Sequence, residues 1–152
     1  MGNDKIIHYL NEALGYELTR INQSFLHAKI YQDWGLNDLG DHEHRESLDE
    51  TGHANSIIER IFSLGGMPNM QVVKPLRFGE TAAEIIDAVI DLETGVEPML
   101  REAVQYCVEL GDYVSEVLLQ GMLDREGNHV HWLESQKMQL ATDYEDSGLV
   151  AA

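Results

Sequence analysis

The stretch ESLDETGHAN, residues 46–55, has the composition of a helix but carries two ligand-type side chains on its apolar face. Glu50 and His53 lie on the line that continues to Ile57 and Ile61, where a helix normally buries apolar residues. A buried carboxylate costs several kcal/mol unless it is paired or bound to a metal ion. The stretch therefore predicts a helix whose buried face holds a polar site.

The same interruption recurs in three further apolar stripes of the chain. Acidic or imidazole side chains interrupt these stripes at Glu17 in the first, Glu93 in the third, and Glu126 and His129 in the fourth. The Glu-x-x-His motif thus occurs twice in phase with an apolar stripe, and two lone glutamates accompany it. One such motif is common by chance, so the prediction of a site depends on the whole set.

The stripes predict four helices and one domain spanning residues 1–152. The first two helices cover about 4–34 and 38–64; the third starts at the capping box Thr81–Glu84, and Gly111-Asp112 separates it from the fourth. Between the second and third lies GGMPNMQVVKPLRFGE (65–80), which has no helical period and is long for a connection. We expect an all-α four-helix bundle with one long crossover, and we expect TDYEDSGLVAA (142–152) to form a short fifth helix or a loose tail.

The charge and composition of the chain restrict the kinds of partner that it can bind. The chain has 27 acidic and 10 basic residues and a formal charge of −17, which disfavours nucleic acid and anionic membranes and attracts cations. It has neither a long apolar run nor a signal-peptide pattern, and we expect no membrane partner. The single Cys107 cannot form an intramolecular disulfide and agrees with a cytoplasmic location.

A pair of metal ions explains four glutamates in one core. Basic residues are scarce on the stripes, so internal salt bridges do not offer a general explanation, whereas two ferrous ions would balance four carboxylates. Carboxylate and imidazole ligands suit iron or manganese. Helical spacing lets Glu50 and His53 reach one ion and Glu126 and His129 the other, while Glu17 and Glu93 complete or bridge the pair. The alternative is that the helix phases are misjudged and these groups are solvated.

Nearly the whole chain resembles bacterioferritin. The resemblance is carried by ELTRINQSFLHAKIYQDWGL (17–36), ESLDETGHANSIIERIFSLGGMPNMQ (46–71) and DREGNHVHWLESQ (124–136). It implies a hollow shell of 24 subunits that oxidises Fe(II) with oxygen or peroxide and stores ferric mineral. It also implies that Glu17, Glu50, His53, Glu93, Glu126 and His129 are the ferroxidase ligands, with Glu50 and Glu126 as bridges.

The sequence departs from the family pattern at specific positions. Thr51 stands where the family has its haem-ligating methionine, so we expect no haem in a homo-oligomer. Ser24 replaces a tyrosine near the metal site, Arg45 replaces a histidine, and the C-terminal segment is poorly kept. Glu46 and Asp49 keep an acidic face on the cavity side, where iron would collect.

We expect several other residues to take no part in metal binding. We expect surface positions for three histidines and packing roles for two tryptophans, namely His42, His44 and His131, and Trp34 and Trp132. Apolar residues predicted on the outer faces, namely Leu36, Tyr31 and Phe78, favour assembly.

Two other functions fit the same sequence. One is a di-iron peroxidase or oxygenase-type redox enzyme; the other is a structural subunit that co-assembles with a haem-binding bacterioferritin subunit. The single Cys107 argues against a fused rubredoxin-type electron carrier, so a reductant would be a separate, ferredoxin-type protein.

Overall fold

The computed structural model describes residues 2–146, which form four helices and no strand. They are α1 (Gly2–Asp33), α2 (Asn37–Ser63), α3 (Ala82–Leu110) and α4 (Tyr113–Asp146). The predicted all-α bundle is confirmed. Within residues 2–146, none of the helices is both long enough and apolar enough to cross a membrane.

The helix ends follow local sequence signals. Thr81 is the N-cap of α3, where its hydroxyl accepts a hydrogen bond from the Glu84 backbone N–H at 3.2 Å. The Glu84 carboxylate in turn accepts from the Glu80 N–H at 2.7 Å, which confirms the predicted helix start. At the other end, Gly111 adopts φ of 72°, a left-handed conformation that glycine reaches without strain and that ends α3.

The long connection between α2 and α3 is held along α1. The Asn11 side-chain oxygen accepts a hydrogen bond from the Asn69 N–H at 2.7 Å, and the Thr19 hydroxyl accepts one from the Lys74 N–H at 3.0 Å. Farther along, the Gln23 amide donates to the Arg77 carbonyl oxygen at 3.0 Å. The connection therefore runs in the direction of α1 and returns the chain to its C-terminal end, so that α3 descends antiparallel to α1.

A polar layer interrupts the core. The larger apolar cluster includes Leu10, Leu14, Ile57, Ile61, Leu100 and Met122, and the smaller one consists of Ile86, Val89 and Leu133. Along α3 and α4, Glu93 and Glu126 separate the residues of one cluster from those of the other. The four helices thus hold a polar site inside the bundle between two apolar regions.

The second half of α1 corrects two predictions from the sequence. Phe25 continues the three- and four-residue apolar steps of the first predicted helix but is 57% exposed, and Tyr31, which we expect from the sequence on the outer surface, is buried. The buried face at this level is formed by polar residues, including Arg20, Ser24 and His27. Because the inward face is polar there, apolar residues no longer mark the phase of the helix.

The C-terminal prediction is tested only in part. Residues 142–146 continue α4 and do not start a separate element. The remainder of the predicted fifth helix, residues 147–152, lies outside the described part of the chain.

Candidate metal centre

All six predicted ligands line one pocket of about 210 Å³ within the helix bundle. The pocket is lined by Glu17, Glu50, His53, Glu93, Glu126 and His129, and also by Glu46 and Asp49. The four central glutamates are buried, whereas Glu46 is partly exposed and Asp49 is exposed. The structure thus brings the predicted residues together and places the two accessory acids nearer solvent.

Each histidine lies against a glutamate from another helix. His53 Nδ1 is 3.6 Å from Glu17 Oε1, and His129 Nδ1 is 2.6 Å from Glu93 Oε1. The sequence predicted different pairs, in which each histidine shares an ion with the glutamate three residues before it, Glu50 with His53 and Glu126 with His129. The observed pairs join α2 to α1 and α4 to α3, and Glu50 and Glu126 line the same pocket as the two remaining central carboxylates.

Several carboxylate oxygens in the pocket lack a hydrogen-bond partner among the described residues. They are Glu17 Oε2, Glu93 Oε2 and both oxygens of Glu126. Burial raises the pKa of Glu126 to about 9, with further contributions from Glu93 and Glu17. Burial also raises the pKa of Glu50 well above its ordinary value. Buried carboxylates without donors fit divalent cations, which would both satisfy the oxygens and favour the ionised forms.

Arg20 lies inside this carboxylate cluster and adds one internal basic residue to stripes on which such residues are scarce. Its side chain is 1% exposed, with Nη2 3.0 Å from Glu50 Oε1 and Nε 3.5 Å from Glu93 Oε1. Burial lowers the pKa of Arg20, but Glu50, Glu93 and Glu43 together raise it above its ordinary value, so that the guanidinium remains charged. The spacing from Glu17 to Arg20 was the available signal, because residues three apart share one helix face.

Glu43 and Ser24 extend the cluster on the α1–α2 side. Glu43 is buried, and burial raises its pKa. The Ser24 hydroxyl lies 3.3 Å from both carboxylate oxygens of Glu50, to which it can donate one hydrogen bond at a time. Glu50 is therefore held by Arg20 and Ser24. Glu126, by contrast, makes no hydrogen bond of good geometry among the described residues and has the Tyr16 hydroxyl as its nearby donor, which lowers its pKa.

His42 is a neighbour of the site and not the surface residue that the sequence predicted. Its Nε2 lies 3.1 Å from His129 Nε2, and its ring stacks on Trp132 with centroids 3.7 Å apart. Burial lowers the pKa of His42 to about 4, with contributions from His129, Arg45 and Arg20. The ring nitrogen of a neutral His42 can accept a hydrogen bond from His129 Nε2–H, which faces away from Glu93, and this fixes the orientation of His129.

The predicted positions of the other histidines and of the two tryptophans are partly confirmed. His44 and His131 are exposed, as predicted. Trp132 packs on His42, whereas Trp34 is 41% exposed. In addition, ligand atoms of His42, Glu46 and His129 lie within 4.8 Å of one another, so these three side chains could also hold a cation.

The bundle and its paired carboxylate–imidazole groups are those of a ferritin-like protein. The family model described as "Ferritin-like domain" matches residues 7–141. The chain therefore belongs to the ferritin-like family.

Several relatives to which this chain is similar are bacterioferritins. A bacterioferritin from Rhodobacter capsulatus is 41% identical over 89% of this chain and 84% of its own length. A bacterioferritin from Brucella melitensis is 39% identical over 92% of this chain and 87% of its own length. A third, from Mycobacterium tuberculosis, is 40% identical over 89% of this chain and 85% of its own length. The resemblance to bacterioferritin is thereby confirmed over most of the chain.

Proposed function

We propose that this protein stores iron, oxidising Fe(II) to Fe(III) at the pocket inside its helix bundle and holding the product in a hollow shell. The observation that carries this proposal is the set of buried carboxylate oxygens without hydrogen-bond donors, placed beside two imidazoles. The similarity to bacterioferritins supports iron as the metal. The reaction transfers one electron from each ferrous ion to oxygen or peroxide.

The two carboxylate–imidazole pairs provide two positions for Fe(II). Glu17 with His53 would hold one ion and Glu93 with His129 the other, while Glu50 and Glu126, which line the same pocket, would contact both. The protein's contribution is to fix these groups on four rigid helices, so that two substrate ions are held close together. Glu126, with its pKa of about 9, would release its proton as the ions bind.

The acidic rim of the pocket supports a role in collecting substrate. Glu46 and Asp49 line the pocket but are more exposed than the central glutamates. Exposed carboxylates attract divalent cations without the desolvation cost of the buried ones. We therefore propose that Glu46 and Asp49 attract Fe(II) to the pocket. The shell itself would be cytoplasmic and built either from copies of this chain alone or together with a haem-binding subunit.

The proposal is tested by replacing His129, which is held between Glu93 and His42. His129→Ala should slow Fe(II) oxidation at least about tenfold, because even an outer-shell partner of a metal ligand contributes about that much. His131→Ala is the matched control, since His131 is exposed on the same helix two residues away. Stopped-flow absorbance after anaerobic Fe(II) is mixed with oxygen measures both rates, and equal rates for the two variants would contradict the ligand assignment.

Iron loading separates storage from the alternative functions. A storage protein should retain far more iron than the two ions that the pocket holds per chain. A di-iron redox enzyme would stop at about two per chain, and a structural subunit would not oxidise iron at all. Iron measured by mass spectrometry after gel filtration distinguishes these three results.

A further inference from the structure

Arg20 places a permanent positive charge on one side of the candidate metal centre. Its guanidinium lies 3.0 Å from Glu50 and 3.5 Å from Glu93, and the second of these carboxylates also contacts His129 at 2.6 Å. The other carboxylate–imidazole pair, Glu17 with His53, has no such contact with Arg20 among the described ion pairs. The two halves of the pocket are therefore electrostatically different.

Arg20 is also held in place by neutral groups. Its Nη1 donates to the Gln23 side-chain oxygen at 3.4 Å, and the Gln23 amide donates to the Arg77 carbonyl oxygen in the long connection at 3.0 Å. A side chain this deeply buried cannot swing into solvent when a metal ion arrives without breaking these contacts and exposing the core. The charge therefore stays near the site when metal binds.

We infer that Arg20 acts as a built-in competing cation that makes the two metal positions unequal, the Glu17–His53 position binding divalent ions tightly and the Glu93–His129 position binding them weakly. This inference rests on the proposed function of the pocket. A divalent ion at the second position must share Glu93 and Glu50 with the guanidinium and is repelled by it. At the first position Arg20 competes only for the shared Glu50, because it makes no close contact with Glu17 or His53, so both effects are weaker there.

Charge balance gives Arg20 a second consequence in the metal-free protein. Five carboxylates are buried around it, namely Glu17, Glu43, Glu50, Glu93 and Glu126. With all five ionised, Arg20 reduces the net charge to minus four, which two divalent ions would balance. Without Arg20 the metal-free cluster would be harder to bury, so Arg20 should stabilise the empty site and oppose its filling.

Cobalt binding to the assembled protein tests the inference. Co²⁺ is titrated anaerobically into metal-free protein, with heat and visible d–d absorption recorded. Wild type should bind one ion per chain tightly and a second at least about tenfold more weakly, as expected for charges a few ångströms apart in a partly buried site. His53→Ala should remove the tight step and His129→Ala the weak step, which assigns each step to its position.

Substitution of Arg20 then tests the cause of the difference. In Arg20→Met the second ion should bind at least about tenfold more tightly, and the gap between the two affinities should narrow to what the mutual repulsion of the two ions leaves. Arg20→Lys, which keeps the charge, should keep two separate steps. Arg60→Met is the matched control, because Arg60 forms a 2.7 Å ion pair with Asp112 away from the pocket, and it should leave both steps unchanged.

Thermal unfolding supplies a readout independent of the binding isotherm. In EDTA, Arg20→Met should melt below wild type, and Co²⁺ should raise its melting temperature by more than it raises that of wild type.

If Arg20→Met does not fold, the two binding steps of wild type and their assignment by the histidine variants still decide whether the two positions are unequal. Two equal steps in wild type, or a weak step that His53→Ala removes, would overturn the inference while leaving the metal site intact. A wild-type protein that binds no Co²⁺ in the pocket would overturn the proposed function as well.

Discussion

The hydroxyl of Thr51 is already used within α2, where it donates a hydrogen bond to the Ser47 carbonyl oxygen at 2.8 Å. Thr51 follows Glu50 directly, at the position where the bacterioferritin pattern has its haem-ligating methionine. A hydroxyl on a short side chain cannot replace a soft thioether as an axial ligand.

We therefore predict that shells made only of this chain bind little haem. Protein expressed with excess haem should lack the spectrum of bis-thioether haem, and Thr51→Met should gain it at one haem per two subunits. Visible absorption spectroscopy of both proteins is the measurement. A strong spectrum in the unmodified protein would show that Thr51 does not decide haem binding.

Glu126 makes the stability of the metal-free protein depend on pH. Its pKa is about 9 in the folded protein and 4.5 ordinarily, because of burial and the nearby Glu93 and Glu17. Between these values the folded state keeps a proton that the unfolded state has released. The free energy of unfolding should therefore fall as pH rises from about 5 to about 9. Glu50 and Glu43, whose pKa values are also raised, act in the same direction.

This pH dependence can be measured by thermal unfolding in EDTA. The melting temperature should fall across that pH range, and Glu126→Gln should flatten the dependence. Added Co²⁺ should stabilise the protein more at pH 8 than at pH 6, since binding requires deprotonated carboxylates. A metal-free melting temperature that rises with pH would contradict the burial of protonated Glu126.

The individual residues of the site could be predicted from the sequence only in part. The six central residues were identifiable because each interrupts an apolar stripe. Arg20 and Glu43 were missed although each has the spacing of a buried stripe, three residues after Glu17 and seven before Glu50, because near these two residues the stripe is polar and looks like a solvated face. His42 was missed for a different reason: its contacts with His129 and Trp132 join α2 to α4, and helical spacing within one segment does not report such contacts.

At the level of the helices, the path of the long connection depends on Gly15. A Cβ added at Gly15 would lie 2.9 Å from the Val72 carbonyl oxygen, and that contact involves backbone. The connection can therefore lie this close to α1 only because residue 15 has no side chain. The sequence predicted the length of the connection but not its course, which depends on hydrogen bonds such as that between Lys74 N–H and the Thr19 hydroxyl.

Gly15→Ala should therefore destabilise the protein although alanine favours helices. We expect the connection to shift and the free energy of unfolding to fall by about 1–3 kcal/mol, the range typical of overpacking. Gly95→Ala is the matched control, because nothing lies within 4 Å of an added Cβ there and the residue is exposed in α3. That variant should gain up to about 1 kcal/mol. Urea unfolding of both variants is the measurement, and a stabilised Gly15→Ala protein would contradict the close approach.

The helix pattern itself was predictable to within a few residues, for a physical reason. In α2 and α3 apolar residues such as Ile57, Ile61 and Val89 mark the buried face. The phase was lost only in the second half of α1, where Arg20, Ser24 and His27 form the buried face. Periodicity thus locates a helix wherever its core is apolar and fails at the level of a polar site.

At the scale of the whole molecule, one bundle exposes large apolar side chains that a protein acting as an isolated monomer would not need. Of the outer residues named from the sequence, Phe78 is exposed, whereas Tyr31 is not. A clearer patch lies at the start of α4, where Tyr113, Val114 and Val117 are all exposed and Val117 is 71% exposed. Exposed apolar side chains clustered on one helix mark an interaction surface, and a closed shell of copies would bury them.

We predict a particle of several hundred kDa, many times the 17.2 kDa of one chain, and we expect the α4 patch to contribute to it. Replacing both Val114 and Val117 with Glu should shift the particle toward smaller species, because buried carboxylates without partners would destabilise the interface. Gln105→Glu, which adds a negative charge at an exposed polar position of α3, is the control and should keep the particle intact. Light scattering coupled to gel filtration at neutral pH measures the particle size of wild type, the double variant and the control.

A stable wild-type monomer would contradict the shell, whereas an intact particle in the double variant would show only that this patch lies outside the interfaces. The distinction matters for function, because ferric product formed in the pocket of an isolated bundle would have no enclosed volume in which to accumulate.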